Sequence, residues 1–208
     1  MSILRSRLLS FLLFAAVLCV SSSIGCAFAD AAKEQRSPEW AQPVTLDKSD
    51  NFFRVAPCLY RSAQPDAKGM EAYEAMGIRT VINLRANHSD DTEAQRTSLI
   101  LRRIPINTWN IKDEHVVAVL SLLRTEEKPV LVHCQHGADR TGLMMAMYRI
   151  VEEGWSKEAA LDELKNGGYG YHSIWTNIPK YIERVDVGKI RSLVDANTAG
   201  KPVSPCPE

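Results

Sequence analysis

The sequence lacks an excess of positive or negative charge. Its 208 residues include 25 Lys and Arg and 25 Asp and Glu, so the formal net charge is zero. A protein dedicated to nucleic-acid binding normally carries a basic excess, so we do not expect a nucleic-acid partner. With 45% hydrophobic and 24% charged residues, the composition also excludes collagen-like, disordered and multi-span membrane classes. The length suits one compact domain.

The first thirty residues have the pattern of an export signal. Arg5 and Arg7 precede an apolar run from 8 to 20, and Ala27-Phe28-Ala29 matches a small-residue cleavage site. The apolar run is shorter than the roughly 20 residues that a transmembrane helix needs, so no integral membrane segment is expected after cleavage. We therefore expect residues 1–29 to be removed and the product to be exported to a bacterial periplasm. Lipid attachment at Cys26 is the less favoured alternative.

Cysteine and histidine are scarce, with five of each. Only Cys58, Cys134 and Cys206 follow the cleavage site, and an odd number in an oxidising compartment leaves at least one thiol unpaired or paired outside the chain. Cys58 and Cys206 either form a long-range disulfide that leaves Cys134 free, or are two incidental thiols. No spacing typical of a metal site is present, so no metal and no cofactor are expected.

Alternating strand and helix patterns predict an α/β fold with a small, largely parallel central sheet flanked by helices. Asp66 is predicted to cap a short helix whose residues Met70, Tyr73 and Met76 face the core. The helix after residue 140 is apolar almost all round and should be central. Strands are predicted at 52–55, 58–62, 80–84, 103–106 and 129–133, and helices at 66–76, 93–101, from 113, 140–152, 156–165 and 178–186.

Residues 133–142 (HCQHGADRTG) join the last predicted strand to the central helix. A thiol, five residues and an arginine at a strand-to-helix turn are typical of a phosphate-binding loop. Such a turn points successive backbone N–H groups at one position, and the helix N-terminus adds partial positive charge. The expected phosphate-binding residues are Gln135, His136, Gly137, Ala138, Asp139 and Arg140.

Three side chains give this loop its expected chemistry. Gly137 provides the backbone freedom that a tight loop needs. The planar guanidinium of Arg140 matches two phosphate oxygens. The N–H groups and the helix dipole would stabilise a thiolate on Cys134, which would lie beneath a bound phosphate and attack phosphorus in line.

This loop resembles the motif His-Cys-x5-Arg-Thr-Gly of the cysteine-dependent protein tyrosine phosphatase superfamily, in its small dual-specificity branch. Cys134, Arg140 and Thr141 occupy the positions of the family motif. Segments similar to this branch, and to its exported bacterial tyrosine phosphatases, lie at 36–41, 59–65 and 80–85. The resemblance covers residues 36–186 and implies a three-layer fold like that of dual-specificity phosphatases.

The expected organisation follows from the signal pattern and the resemblance together. Residues 1–29 form the signal peptide, and residues 30–50 form an N-terminal arm that either wraps the domain or stays mobile. The phosphatase domain covers residues 51–193, and residues 194–208 form a flexible tail.

The resemblance implies a two-step, metal-independent phosphomonoesterase. Cys134 takes the phosphoryl group while Arg140 and the loop N–H groups stabilise its equatorial oxygens. Thr141 is expected to hydrogen-bond the cysteine sulfur and to help it leave when water attacks. His133 is expected to orient the loop from behind.

The general acid of the family is not found at its usual place. The family carries an aspartic acid about thirty residues before the cysteine, and the stretch 107–112 has none. Asp113 is one candidate, with helix capping alone as its favoured role. Asp139, inside the loop, is the other, with bracing of the loop as its alternative role. Trp109 either lines the cleft or packs in the core.

The expected substrates are phosphorylated proteins, including membrane proteins with a periplasmic domain. A short domain has little room for a deep pocket, so phosphoserine and phosphothreonine are expected alongside phosphotyrosine. Phosphoinositide or inositol phosphate substrates rank second, because the loop offers no lysine. A catalytically weak phospho-binding pseudophosphatase is a further alternative, supported by the missing upstream acid.

Overall fold

The computed structural model describes residues 36–206, which form a six-stranded sheet with helices packed on both faces. The α/β fold class is therefore confirmed. The strands are β1 (Gln42–Pro43), β2 (Phe53–Ala56), β3 (Leu59–Ser62), β4 (Thr80–Arg85), β5 (Ile100–Ile106) and β6 (Val130–His133). The helices are α1 (Ala67–Ala75), α2 (Asp113–Thr125), α3 (Asp139–Val151), α4 (Lys157–Asn166), α5 (Asn177–Arg184) and α6 (Val187–Thr198).

The predicted signal peptide and Cys26 lie outside the described residues. Within residues 36–206, no helix combines the length and the apolar character needed to cross a membrane.

The parallel part of the sheet brings three strand ends to one edge. The strand order is β1-β2-β3-β6-β4-β5, in which β1, β2 and β3 pair antiparallel and β3, β6, β4 and β5 pair parallel. His133 at the end of β6 pairs with Ser62 on one side and with Asn83 on the other. The loops after these strands emerge side by side, at the edge where open α/β sheets bind ligands.

Alternate residues of β6 enter two separate cores. Val130 and Val132 pack with helices α2 to α6, whereas Leu131 packs on the opposite face with Met70 and Tyr73 of α1. Helix α3 lies within the larger core, so its predicted central position is confirmed.

Two details of the predicted elements are wrong. Residues 91–97 form turns instead of the predicted helix 93–101, and β5 begins at Ile100. Residues 91–97 make local turn hydrogen bonds, such as Ala94 N to Asp90 O at 2.8 Å, and pairing with β4 takes residues 100 and 101 into the sheet. For these two residues tertiary pairing outweighs local helix propensity. Met76 is 37% exposed at the end of α1, so its predicted inward position is wrong as well.

The C-terminal part contains a helix that the sequence did not predict. The helix expected over 178–186 ends at Arg184, and Asp186 then caps α6 by accepting a hydrogen bond from the backbone N–H of Lys189 at 2.9 Å. Helix α6 buries Ile190 and Val194. The expected start of the tail, at residue 194, therefore falls inside a helix.

The described part of the N-terminal arm, residues 36–50, packs on the domain, which is the wrapping alternative. Ala41 is buried, and its backbone N–H donates to Glu163 Oε1 at 2.7 Å. Strand β1 extends the sheet beside β2. Arg36 donates from Nη1 to the carbonyl oxygen of Gly167 at 2.6 Å, which ties the arm to the segment after α4.

Cys58 and Cys206 form a disulfide bond across a sequence separation of 148 residues, and Cys134 is a buried free thiol. The structure thus contains the first of the two arrangements that the sequence left open. The bond ties the end of the chain to the turn before β3.

Cys206→Ser is expected to lower the free energy of unfolding by about 2–4 kcal/mol, because the disulfide restricts a long loop in the unfolded chain. Urea unfolding of the wild type and the variant, each with and without reductant, measures the change. The wild type in reductant is the matched control and should unfold like the variant. Equal midpoints in all four samples would contradict a stabilising disulfide.

Candidate active site

The loop 134–138 joins β6 to α3 at the edge where the strand ends meet. Cys134, its first residue, is 1% exposed. Helix α3 begins directly after the loop, so the positive end of its dipole lies beside it. The backbone N–H groups of residues 135–138 have no acceptor within the described part of the chain. Unpaired N–H groups beside a helix N-terminus form an anion-binding site.

Donors outside the loop hold its carbonyl oxygens. The bonds are Asn51 Nδ2 to His136 O (2.7 Å), Gln64 N to Gln135 O (3.1 Å) and Arg61 Nη2 to Gly137 O (2.6 Å). The C=O and N–H of one peptide point in opposite directions, so each bond turns the next N–H towards the inside of the loop. Donors in the turn before β2, in β3 and just after β3 therefore account for the predicted array of inward N–H groups.

Gly137 is required both by its backbone conformation and by its surroundings. Its φ is +69°, in the region that L side chains rarely adopt. A Cβ at this position would lie 2.5 Å from the carbonyl carbon and oxygen of Ser62. The loop therefore packs against the end of β3 with no space for a side chain.

Arg61 is a buried cation that sequence reasoning did not single out as a site residue. It is 1% exposed, and its guanidinium carbon lies 3.6 Å from the centre of the Tyr169 ring. Burial lowers the pKa of Arg61, and the charges of Tyr169 and Glu163 oppose that effect. The sequence signal was an arginine inside a predicted strand, 58–62, that carries no other charged residue.

His133 lies behind the loop and is fixed by Asp90, a residue that sequence reasoning missed. His133 Nε2 is 2.9 Å from Asp90 Oδ2, and Gln64 Nε2 donates to Asp90 Oδ1 at 2.9 Å. Burial raises the pKa of Asp90, but the hydrogen bond and charge of His133 outweigh it and leave the pKa below its usual value. Because His133 precedes Cys134 directly, this contact fixes where the loop begins.

Arg140 presents an unsatisfied donor at the site. Its Nη1 donates to the carbonyl oxygen of Ile106 at 3.3 Å, while its buried Nε has no partner among residues 36–206. Such a donor costs free energy unless an acceptor binds to it. Thr141 Oγ1 is also buried without a partner in this region, so the hydrogen bond expected between Thr141 and the Cys134 sulfur is not formed.

Asp139 pairs with His172, a partner 33 residues further along the chain. Its Oδ1 accepts from the backbone N–H of His172 at 2.9 Å, and its Oδ2 lies 2.9 Å from His172 Nδ1. Sequence reasoning expected Asp139 either to donate a proton or to brace the loop. The bracing contact that the structure shows joins the loop to the segment before α5.

Asp113 is not in the site, and it does not cap α2. Lys112 is the cap residue, and Asp113 is the first residue of the helix. Its carboxylate accepts from Tyr181 Oη at 3.0 Å and from Lys189 Nζ at 2.8 Å. The hydrogen bond from Lys189, supported by that of Tyr181, holds the pKa of Asp113 below its usual value. Tyr181 lies in α5 and Lys189 in α6, so tertiary packing gives Asp113 partners that the sequence pattern could not reveal.

An open cleft of about 460 Å³ lies over the loop. Trp109 is 69% exposed and Ile174 is 78% exposed on its lining, so the interpretation of Trp109 as a core residue is wrong. His172 also lines the cleft, whereas Tyr169, three residues before it, is buried. The other lining residues are Arg85, Ala86, Asn87, Asn107, Thr108, Gln135, His136, Asp139, Arg140 and Trp175.

Two side-chain groups within the described residues have the spacing to hold a metal ion, although the sequence predicted none. His136, Asp139 and His172 offer ligand atoms that lie within 4.8 Å of one another, and a second group is formed by His88, Asp90 and Glu93. Asp139 and Asp90 already hydrogen-bond His172 and His133.

Comparisons with known proteins agree on one class. The family model described as a DSP-PTPase phosphatase fused to NAD+ kinase matches residues 33–175. The dual specificity protein phosphatase TpbA of Pseudomonas aeruginosa is 38% identical over 182 residues, which is 86% of this chain and 82% of that protein. A crystal structure of TpbA in complex with phosphotyrosine is 35% identical, covers 79% of this chain and 99% of its own, and has a TM-score of 0.68. The catalytic core of a PP-IP phosphatase from S. cerevisiae shares the fold at 21% identity, with a TM-score of 0.64 and coverage of 77% and 99%.

Gly137→Ala is expected to weaken binding of inorganic phosphate by about tenfold or more, because the new Cβ would push the loop away from β3. Titration calorimetry on the purified protein measures the affinity. Gly170→Ala is the matched control: its φ is +77°, but a Cβ there meets nothing within 4 Å. Equal phosphate affinity of the two variants would show that the loop does not depend on this close approach.

Proposed function

Since the chain belongs to the DSP-PTPase phosphatase family and is a phosphatase, we propose that it hydrolyses phosphotyrosine, phosphoserine and phosphothreonine in proteins through a phosphocysteine intermediate. One observation carries the proposal. The free thiol of Cys134 begins a loop whose backbone N–H groups have no acceptor within the described residues, and the same loop leads to Arg140, whose buried Nε also has no partner there. Such an arrangement can bind a phosphoryl group next to a nucleophile.

The chemistry follows from that arrangement. A phosphoryl group in the loop would receive hydrogen bonds from the N–H groups of residues 135–138 and from the Arg140 guanidinium. The Cys134 thiolate then attacks phosphorus opposite the leaving oxygen, and the Sγ–P bond forms as the P–O bond breaks. Water hydrolyses the phosphocysteine in a second step. His133, fixed by Asp90, acts as a positioning residue for the start of the loop.

The residues that line the cleft favour phosphotyrosine as a substrate. Trp109 and Ile174 are large, exposed and apolar, and they can pack against an aromatic ring whose phosphate lies in the loop. The open cleft leaves room for a phosphoserine or phosphothreonine peptide. No lysine lines the cleft among the described residues. A highly charged inositol phosphate would therefore find fewer cationic side chains there than in a site lined with lysines, and inositol phosphates rank second as substrates.

The wild-type protein is expected to release phosphate from a phosphotyrosine peptide in the presence of EDTA, and Cys134→Ser is expected to abolish turnover. The variant should still bind the peptide, because its loop N–H groups and Arg140 remain. Arg140→Lys, which keeps the charge but loses the planar fork, should reduce kcat/KM by about 100-fold or more. Turnover by Cys134→Ser, or faster hydrolysis of an inositol phosphate than of the peptide, would contradict the proposal.

We propose further that the protein acts outside the cytoplasm, on phosphorylated proteins that include membrane proteins with a domain in the same compartment. Two features support export. The pattern of residues 1–29 is that of a cleavable signal peptide. The Cys58–Cys206 disulfide is of a kind that persists in oxidising compartments.

Expression of the full chain in a Gram-negative bacterium is expected to yield a periplasmic product whose N-terminus is Asp30. Cell fractionation followed by N-terminal sequencing measures both points. Ala29→Lys is the control, because a large charged residue at the cleavage site should block processing. A full-length product in the cytoplasm would contradict export, and an acylated N-terminus at Cys26 would contradict cleavage at Asp30.

A further inference from the structure

Among the described residues, the segment before α2 contributes no carboxyl group to the cleft. It contributes Asn107, Thr108 and Trp109 to the lining. Asp113 is bound by Lys189 and Tyr181 and is not among the lining residues. An alkoxide is a poor leaving group, so efficient cleavage of a phosphoserine or phosphotyrosine needs a proton donor.

The carboxylate that lines the cleft within the described residues, Asp139, already serves as an acceptor. It is 6% exposed at the start of α3. Its two oxygens take the backbone N–H and the Nδ1 of His172, each at 2.9 Å. Both oxygens of Asp139 are thus engaged by His172, and neither is free to reach a leaving group in the cleft.

His172 is placed where a proton donor is needed. Its side chain is 49% exposed and lines the same cleft as Arg140 and Gln135. With Nδ1 bound to Asp139, the second ring nitrogen, Nε2, has no partner within the described residues. The ring of His136 lies 5.3 Å away, centre to centre, and also lines the cleft, but no carboxylate orients it in the described structure.

The backbone that carries His172 is anchored on both sides. Asn51 Nδ2 donates to the carbonyl oxygen of Tyr169 at 2.8 Å, and the same atom donates to the loop at His136. On the C-terminal side of His172, the carbonyl oxygen of Trp175 accepts a hydrogen bond from the Tyr171 hydroxyl at 2.7 Å. One asparagine thus ties the segment of His172 directly to the phosphate-binding loop.

We propose that His172 is the general acid of the reaction and that Asp139 is the positioning residue that orients it; this inference rests on the proposed phosphatase function. In the first step the protonated ring gives its Nε2 proton to the leaving oxygen as the P–O bond breaks and the Sγ–P bond to Cys134 forms. In the second step the neutral ring takes a proton from the water that attacks phosphorus. The S–P bond breaks, phosphate leaves, and the thiolate and the protonated ring are restored.

The test compares two substrates that differ in their need for a proton. The aryloxide of an aryl phosphate with a strongly electron-withdrawing ring leaves without protonation. The serine oxygen of a phosphoserine peptide needs a proton in order to leave. His172→Asn is expected to lower kcat/KM by about 100-fold or more on the peptide and by less than about fivefold on the aryl phosphate. Asp139→Asn should also lose more kcat/KM on the peptide than on the aryl phosphate. Its loss on the peptide should be smaller than that of His172→Asn, because the His172 ring remains and only its orientation is lost. All assays contain EDTA, so that no divalent cation contributes to turnover.

Two control variants separate a proton donor from a general disturbance. His136→Asn changes the neighbouring imidazole, and Asp113→Asn changes the alternative acid. Each should affect both substrates to a similar extent. Turnover of the aryl phosphate also reports that every variant has a folded loop, and His172→Gln serves as a second replacement of the ring.

Equal losses of His172→Asn on both substrates would overturn the proposal, as would a peptide-specific loss in His136→Asn or Asp113→Asn alone. A failure of the proposed function looks different. In that case the wild type would hydrolyse neither substrate, or the Cys134→Ser variant would hydrolyse both substrates as fast as the wild type does.

Discussion

The site depends on the hydrogen bonds that hold the carbonyl oxygens of the loop 134–138. Asn51, Arg61 and Gln64 reach this loop from the turn before β2, from β3 and from the residues after β3. They fix the peptide groups so that the N–H side faces inward, where nothing else accepts from it in the described structure. An inward array of unpaired donors is unfavourable without an anion, and the surrounding fold compensates for that cost.

Buried charges behind the loop keep those donors in place. Arg61 stacks on Tyr169, whose hydroxyl donates to Glu163. Glu163 in turn accepts from Arg149 Nε at 2.9 Å and from the backbone N–H of Ala41 at 2.7 Å. This network joins the arm, α3 and α4, so loss of one partner would leave a buried charge uncompensated, at a cost of about 3–5 kcal/mol. The arm is therefore part of the support for the active site, although it lies far from Cys134 in the sequence.

The parts of the molecule that follow from local patterns were predictable, and those that depend on distant partners were not. The strand 80–84, the central helix and the phosphate-binding loop are encoded by contiguous residues and were found where expected. The helix predicted at 93–101 is wrong because its last two residues pair with the distant β4, and the residues before them form turns that lead into that pairing. The contact between Asp139 and His172 also joins residues far apart in the sequence, so neither periodicity nor motif could reveal it.

The central claim is that Cys134 carries the phosphoryl group. Rapid quenching of the wild-type enzyme during turnover of a phosphotyrosine peptide, followed by peptide mass spectrometry at acidic pH, tests it directly. The account predicts a phosphorylated peptide with the modification on Cys134, which disappears when the substrate is exhausted. A phosphoryl group on His136 or His172 instead, or turnover without any covalent phosphoenzyme, would contradict it.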